Sequence, residues 1–190
     1  MSDAWLQTFS GKAAFPFDLQ KDQVCIEDIA HHLSMICRFN GATRFHYSVA
    51  QHSLYVAAKL PKQMKLHGLL HDAAEYLLGD VTRPVKGCLE VRDDSTVEMD
   101  KYRSFSKVEH RALARIYDAL GIEWMNSIEV CDKIKEVDNR MVMTEGRELL
   151  GKPPMSWNVA AKPYRGMVIA EISPKAAERL FLERYAEFTK

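Results

Sequence analysis

The stretch from Leu70 to Glu75 reads LHDAAE and places an imidazole and two carboxylates inside an otherwise apolar segment. Leucine and alanine at positions 66, 69, 70, 73, 74 and 77 have the spacing of a core-facing helix. Charged groups on such a surface need a partner or a metal ion. His71 and Glu75, four residues apart, share a helix face, with Asp72 at its edge. The segment predicts a helix whose polar groups converge on a cation; the alternative is a salt-bridged core histidine beside two solvated acids.

Two other positions supply donors of the same kind. Ser48 and Gln51 have the spacing of a capping box, which puts His52 in the first turns of a helix. Asp138 lies beside an apolar stripe with helical spacing. Two imidazoles and two carboxylates on three helices could hold a divalent ion and leave positions open for water and a phosphate oxygen. The pattern favours a catalytic metal site over a closed structural one.

Together, His52, His71-Asp72 and Asp138 resemble the H...HD...D metal signature of HD-domain phosphohydrolases. The block HDAAE, followed by LGDVTRPVK up to Lys86, resembles the corresponding part of the small bacterial 5'-deoxynucleotidases. Arg38-Phe39 stands where that subfamily has an Arg-Trp pair, and the run from Ile26 to His52 also resembles phage-type HD enzymes, among them dATP triphosphohydrolases. The resemblance covers about residues 25 to 145.

The resemblance implies roles for particular side chains. Glu75 and Asp80 would handle the proton and orient water, although Asp80 could instead cap the turn after the preceding glycine. The remaining roles are metal ligation by His52, His71, Asp72 and Asp138, phosphate binding by Arg38 and Lys86, and stacking of Phe39 on a nucleobase. The mixed nitrogen and oxygen donors suit Mn, Co, Fe, Ni or Zn, with Mg as a further possibility.

Several of these assignments have structural alternatives. Arg38 and Lys86 could be ordinary exposed charges, which is the interpretation that we favour for Arg83. Phe39 at a helix end could be core. His67 has the i, i+4 spacing to His71 of helical zinc ligands, but we expect it outside the ligand set. The histidines at positions 31, 32, 46 and 110 are expected to make only ordinary hydrogen bonds.

We therefore expect an enzyme, a metal-dependent phosphoric ester hydrolase that acts on 2'-deoxynucleotides. Metal-activated water would release nucleoside together with phosphate or triphosphate, as in a 5'-deoxynucleotidase or a dNTP/dATP triphosphohydrolase. One alternative is an HD module that binds a nucleotide without turnover. Another is a cyclic-nucleotide phosphodiesterase, since HD scaffolds support that activity.

The composition limits the size and setting of the protein. With 190 residues, 47% of them hydrophobic, the chain is long enough for one domain with a real core and short for two. We expect a single HD domain over residues 1–190, with its motifs at about 25–145. The 26 basic and 26 acidic residues give a formal net charge of zero, which disfavours binding to a nucleic-acid polymer or an anionic membrane.

The cysteines and the hydropathy indicate a cellular location. Cys25, Cys37, Cys88 and Cys131 show no C-x-x-C spacing and are typical of reduced packing residues. The N-terminus lacks a basic region followed by an apolar stretch, and no window approaches the roughly 18 apolar residues of a membrane span. We expect a soluble cytoplasmic protein.

The chain shows no sheet-forming alternation and no repeat, which predicts an all-α fold, an HD-domain helical bundle. A short β-hairpin within residues 155–172 is the one exception that we allow. Helix boundaries are predicted at Ser48, at Pro61 for the helix with His71-Asp72, at a Ser106/Glu109 capping box, near Gly151, and at Ser173-Pro174.

Two further segments carry expectations. The acidic run Asp93-Asp94-Ser95 is either solvated or ordered over a ligand. Apolar residues near both ends predict a homodimer or larger oligomer, unless they simply cover the core. They are Trp5 and Phe9 at one end, and Leu180, Phe181, Tyr185 and Phe188 at the other.

Overall fold

The computed structural model describes residues 4–92, 102–124 and 127–190. The described part is mostly helical, which confirms the all-α prediction. The helices are α1 (Ile26–Met35), α2 (Val49–Ala58), α3 (Lys65–Leu70), α4 (Glu75–Leu78), α5 (Arg83–Lys86), α6 (Phe105–Ala119), α7 (Ile128–Leu149) and α8 (Pro174–Phe188). Short strands form two antiparallel pairs, β1 (Leu6–Gln7) with β2 (Ala13–Ala14) and β3 (Glu90–Arg92) with β4 (Tyr102–Ser104). The run Asp93-Asp94-Ser95 lies outside the described residues.

Helix α2 lies at the centre of the fold and packs against α1, α3, α7 and α8. Most of its residues are buried, including the polar Gln51, His52 and Ser53. When a helix is covered on nearly all sides, the neighbouring elements must supply hydrogen-bond partners for its polar groups. The position of His52 in this helix therefore directs the imidazole into the protein interior.

The serine caps decide where two helices begin. The Ser48 side chain accepts a hydrogen bond from the Gln51 N–H, and Ser173 accepts one from the N–H of Ala176, with Pro174 as the first residue of α8. Both starts are as predicted. The Gln51 side chain does not return to Ser48, but donates to the carbonyl of Ala170 at 2.7 Å.

The predicted capping box at Ser106 and Glu109 is wrong. The capping position is Ser104, two residues before Ser106, and helix α6 begins at Phe105. Glu109 accepts a hydrogen bond from Lys86 Nζ at 2.7 Å. An ion pair with a lysine from another element replaces the local capping bond that the spacing indicates.

The predicted continuous helix through His71 and Asp72 is also wrong, because α3 ends at Leu70 and α4 begins at Glu75. Between them the backbone bonds span three residues, as in Ala73 N–H to the Leu70 carbonyl at 2.9 Å. The cause lies in one side chain. His71 Nδ1 donates to the carbonyl of Gly68 at 2.7 Å, and that carbonyl is the acceptor that the Asp72 N–H would need in an α-helix.

Gly68 also sets how closely α3 approaches α2. A Cβ atom at this position would lie 2.2 Å from Leu60 Cδ1 and 3.3 Å from the Cα atom of Ala57 on α2. The missing side chain therefore allows the two helix backbones to pack tightly at this point.

Residues 155–172, all of which the structure describes, contain no strand, so the hairpin is not where we predicted it. Their backbone groups bond to helix side chains instead of to a second strand. Arg147 on α7 donates to the carbonyls of Tyr164 and Met167, both at 3.1 Å, and Thr144 accepts from the Tyr164 N–H. Because helix side chains satisfy these backbone groups, the segment does not need the hydrogen bonds of a paired strand.

The aromatic residues near the two chain ends differ in exposure. Trp5 and Phe9 are 57% and 61% exposed. Phe181 is fully buried, and Tyr185 and Phe188 pack against the same core. The C-terminal aromatic residues therefore cover the core. Only the exposed Trp5 and Phe9 still support the predicted oligomer.

The four cysteines are free, and Cys88 and Cys131 are exposed, which contradicts their prediction as packing residues. Among the helices that the structure describes, none combines the length and the apolar character needed to cross a bilayer.

The N-terminal segment is fixed to α1 through Asp28, a buried carboxylate in the first turn of that helix. It accepts hydrogen bonds from the Ser10 N–H at 2.7 Å, the Ser10 hydroxyl at 2.7 Å and the Cys25 thiol at 3.0 Å. Burial alone would raise the pKa of Asp28, but the bonds from Cys25 and Ser10 lower it below its usual value.

Asp28→Asn is expected to lower the free energy of unfolding by about 2 kcal/mol at pH 7, because the charged acceptor is lost. A lowered folded-state pKa stabilises the protein above the unfolded-state pKa of about 4, and this contribution disappears as the pH falls through the folded-state pKa. Urea unfolding should show a difference between variant and wild type that narrows below about pH 4. Glu27→Gln, on the exposed side of the same turn, is the control. A difference that does not change with pH would contradict this role.

Candidate metal centre

The structure brings together the four side chains predicted as metal ligands. His52 reaches the centre from α2, Asp138 from α7, and His71 and Asp72 from the turn between α3 and α4. His52 Nε2 lies 3.2 Å from Asp138 Oδ1 and 3.6 Å from Asp72 Oδ2, and His71 Nε2 lies 3.2 Å from Asp72 Oδ2. The helix break does not separate these groups, because the turn keeps both residues 71 and 72 directed toward α2.

The donor atoms fit a divalent ion in kind and in spacing. The ligand atoms of His52, His71 and Asp72 all lie within 4.8 Å of one another. Metal bonds of about 2.0 to 2.2 Å place neighbouring ligand atoms roughly 3 to 3.6 Å apart. The Nε2 atoms of His52 and His71 are buried and have no hydrogen-bond partner among the described residues. Buried nitrogen atoms without partners are costly, and a cation between them would satisfy both.

Glu145 is a functional candidate that the sequence analysis missed. It is fully buried on α7, and its Oε1 accepts hydrogen bonds from His52 Nδ1 at 2.5 Å and from the Tyr47 hydroxyl at 2.7 Å. The signal for it is its spacing of seven from Asp138, two helical turns, which puts both acids on the same face of α7. The acid sits behind His52 on the side away from Asp138.

Arg38, predicted to bind phosphate, lies inside this cluster with 8% of its surface exposed. Its Nη1 lies 3.4 Å from Asp72 Oδ2, and its Nε lies 3.5 Å from Glu145 Oε2. Burial would lower the pKa of Arg38, but the surrounding carboxylates, Glu145 first among them, raise it. Arg38 thus serves as a buried counter-charge between two acids.

Glu75 and Asp80, the predicted acid/base pair, lie beside the ligands. Glu75 is 4% exposed, and its Oε2 has no partner among the described residues. Burial, followed by the charges of Asp72 and Asp80, raises the pKa of Glu75 well above its usual value. Burial likewise raises the pKa of Asp80, which follows Gly79 at a positive φ of 77°. Carboxyl groups with raised pKa values beside candidate metal ligands are candidates for general acid/base work.

Two cations border the centre. Lys86 is paired with Glu109, and its Nζ lies 3.8 Å from Glu75 Oε1. Arg83, predicted as an exposed charge, is exposed, but its guanidinium donates to Asn139 Oδ1 at 2.9 Å and to Asp138 Oδ2 at 3.4 Å. Arg83 therefore contacts a predicted ligand, which the sequence interpretation did not anticipate.

Phe39 is half-buried beside Arg38 and is neither ordinary core nor fully exposed. It has a positive φ of 55°, and Asn40 follows with a φ of 49°. Such angles are uncommon for residues with side chains. The Phe39 ring lies 6.0 Å from that of Trp157, which packs against α7 at Gly146. The sequence analysis did not single out Trp157, which lies beside Phe39, a residue predicted to contact the substrate.

The other histidines lie outside the group of candidate ligands. His67 stacks on Tyr117, with ring centroids 5.6 Å apart, and takes no part in the group of His52, His71 and Asp72. His31, His32 and His46 have hydrogen-bond partners, and His110 packs against Trp124.

No family model matches the chain. The chain is 30% identical over 189 residues to the uncharacterized protein YfdR of Escherichia coli K12, an alignment that covers 98% of the chain and 97% of YfdR. The chain belongs to the YfdR family. A second relative, the uncharacterized protein RCAP_rcc00048 of Rhodobacter capsulatus, is 28% identical to the chain over 199 residues, an alignment that covers 97% of the chain and 95% of that protein. Neither name states an activity, so any function for this YfdR-family chain has to be argued from its site.

In this YfdR-family chain, Glu75→Gln is expected to stabilise the metal-free protein. A raised folded-state pKa means that the native state binds the proton more tightly, so Glu75 destabilises the fold as the pH rises above its unfolded-state pKa. Urea unfolding in the presence of EDTA should show the variant more stable by about 1 kcal/mol at pH 8, and the difference should shrink at pH 5. Glu171→Gln, at an exposed position, is the control. Equal stability of variant and wild type at both pH values would contradict this assignment.

Proposed function

We propose that this chain is a divalent-metal-dependent phosphohydrolase of the HD-domain superfamily that acts on 2'-deoxynucleotides. One observation carries the proposal. The buried Nε2 atoms of His52 and His71, which make no hydrogen bond among the described residues, face Asp72 and Asp138 beside the buried carboxyl group of Glu75. Ligands next to an acid with a raised pKa are the combination that metal-assisted hydrolysis requires.

His52, His71, Asp72 and Asp138 would hold the ion, with Mn, Co, Fe, Ni or Zn suited to the donors and Mg a further possibility. The bound ion would activate water and offset charge on the phosphoryl group. The protein would hold the ion in a setting rich in acids, since Glu75, Asp80 and Glu145 surround the ligands. Because these carboxylates are negatively charged, the site favours the binding of a divalent cation and disfavours the binding of an anion that arrives without one.

In the proposed reaction, the oxygen of water forms a bond to phosphorus as the ester bond to the nucleoside oxygen breaks. Glu75 accepts the proton of the attacking water, and its buried Oε2 is free of partners among the described side chains. Asp80 orients that water or returns a proton to the leaving oxygen. The products are nucleoside and either phosphate or triphosphate.

Contacts with the substrate would come from Lys86, Arg83 and Phe39. Lys86 is held beside Glu75 by Glu109, which fixes the position of its charge. Arg38 is so deeply buried between acids that its part would be to offset their charge, in addition to any contact with phosphate. Phe39, with the ring of Trp157 next to it, offers an aromatic face to a base.

The setting that we propose is a cytoplasmic enzyme that uses small-molecule deoxynucleotides and no nucleic-acid polymer. A homo-oligomer belongs to the same proposal, and its support is the exposure of Trp5 and Phe9.

Asp72→Ala is expected to abolish metal binding, because it removes the carboxylate whose Oδ2 lies 3.6 Å from His52 Nε2 and 3.2 Å from His71 Nε2. Metal content after purification and dialysis, measured by inductively coupled plasma mass spectrometry, checks this. Asp132→Ala, which removes an exposed acid from α7, should retain the wild-type content. Full metal occupancy in the Asp72 variant would remove the basis for the ligand assignment.

The wild type should hydrolyse at least one member of a panel of deoxynucleoside mono- and triphosphates in the presence of Mn²⁺, Co²⁺ or Mg²⁺, with phosphate release and chromatography of the nucleoside as the measurements. Glu75→Gln should reduce kcat by about 10² or more while metal remains bound, because a positioned acid/base group typically contributes that much.

The same panel separates the alternatives. Binding of deoxynucleotides without hydrolysis under any metal would favour the module without turnover. Hydrolysis of cyclic nucleotides alone would favour the phosphodiesterase. Near-normal turnover by the Glu75 variant with metal bound would contradict the proposed base.

A further inference from the structure

Glu145 contacts one candidate ligand from behind. Its Oε1 lies 2.5 Å from His52 Nδ1, whereas His52 Nε2 faces Asp72 and Asp138 on the other side of the ring. An ionised carboxylate can only accept hydrogen bonds, so Nδ1 must carry the proton in this contact. Both residues are fully buried, which removes water as a competing partner.

The carboxylate of Glu145 is itself fixed from two further directions. The Tyr47 hydroxyl donates to the same Oε1 at 2.7 Å, and Arg38 Nε lies 3.5 Å from Oε2. Tyr47 is fully buried and Arg38 nearly so. Although Arg38 Nε and Glu145 Oε2 make no hydrogen bond among the described residues, their ion pair favours this rotamer of Glu145, because another would leave a buried charge unpaired.

We propose that Glu145 is the positioning residue of the metal centre. It keeps the proton of His52 on Nδ1 and orients the ring so that Nε2 presents its lone pair to the ion. Ligating histidines commonly need such a second partner, and loss of that partner typically weakens metal affinity about 10- to 100-fold. The metal-binding part of this inference rests on the proposed function, whereas the position of the proton does not.

Asp28 supplies a control for a merely structural role. Asp28→Asn removes a buried charged acceptor on α1 that bonds Ser10 and Cys25 and takes no part in the group of His52, His71 and Asp72. Glu145→Gln has the shape of the wild-type side chain and removes its charge. If Glu145 only stabilises the core, the two variants should weaken metal binding in proportion to their loss of stability.

The experiment measures the Zn²⁺ Kd by calorimetry and the stability by urea unfolding in wild type, Glu145→Gln and Asp28→Asn. Glu145→Gln should raise the Kd at least about 10-fold, and Asp28→Asn should change it less than about 3-fold even though stability falls. A Kd for Glu145→Gln within about 3-fold of wild type, or an equal weakening by Asp28→Asn, would overturn the proposal.

A second measurement needs no metal. Nuclear magnetic resonance of metal-free protein with ¹⁵N-labelled histidine should show His52 Nδ1 bonded to hydrogen, with a strongly downfield proton that is lost or shifted in Glu145→Gln. The signal is assigned by its absence in His52→Gln. A His52 ring protonated on Nε2 alone would overturn the proposal. If the wild-type protein binds no Zn²⁺, the proposed function is contradicted. The nuclear magnetic resonance signal of the Nδ1 proton then still tests whether Glu145 positions the His52 ring.

Discussion

The hydrogen bond between His52 and Glu145 joins the central helix to α7 inside the protein, and the remainder of the site is arranged around it. An imidazole and a carboxylate that are both fully buried can coexist only when each satisfies the other. Arg38 lies beside this acid as a counter-charge, and the Tyr47 hydroxyl donates a second hydrogen bond to Glu145 Oε1. The other nitrogen of His52 faces two further acids. This buried contact thus links the chemical character of the candidate metal centre to the packing of α2 on α7, which an apolar cluster that includes Val56 and Met141 also supports.

The second constraint is local to the turn that carries His71 and Asp72. The bond from His71 Nδ1 to the Gly68 carbonyl takes an acceptor away from the helix ladder, and the helix stops there. In return, the ring is fixed with its Nε2 toward Asp72. The same relation holds at both histidines, since each donates through Nδ1 to an oxygen of the protein and leaves Nε2 directed at the cluster. Two unrelated acceptors, a carbonyl and a carboxylate, therefore produce equivalent orientations.

Sequence patterns predicted the parts of this structure that depend on local rules. The caps at Ser48 and Ser173 and the helical character follow from side-chain bonds and spacing within a few residues. The prediction failed where a distant partner competes with the local one. Glu109 bonds Lys86 instead of capping α6, and residues 155–172 use side chains of α2 and α7 where a hairpin would use a second strand.

The four candidate ligands could be chosen from the sequence because of their resemblance to the HD-domain signature, and the structure groups His52, His71 and Asp72, with Asp138 beside His52. Glu145 had no such mark. It stands two turns from Asp138 on a helix that carries many acids, and only the folded structure shows which of them is buried against His52. Trp157 was missed for a similar reason, since it lies in an irregular segment whose path cannot be read from periodicity.

Gly68 connects these observations in one residue. Its carbonyl orients His71, and its lack of a side chain lets α3 approach the Cα atom of Ala57 on the helix that carries His52. The absence of a side chain at one residue therefore contributes to the short separation of the two histidines. A side chain at this position would displace Leu60 Cδ1 and press on the Ala57 backbone, so any substitution of this glycine would be felt by both elements that carry the candidate ligands.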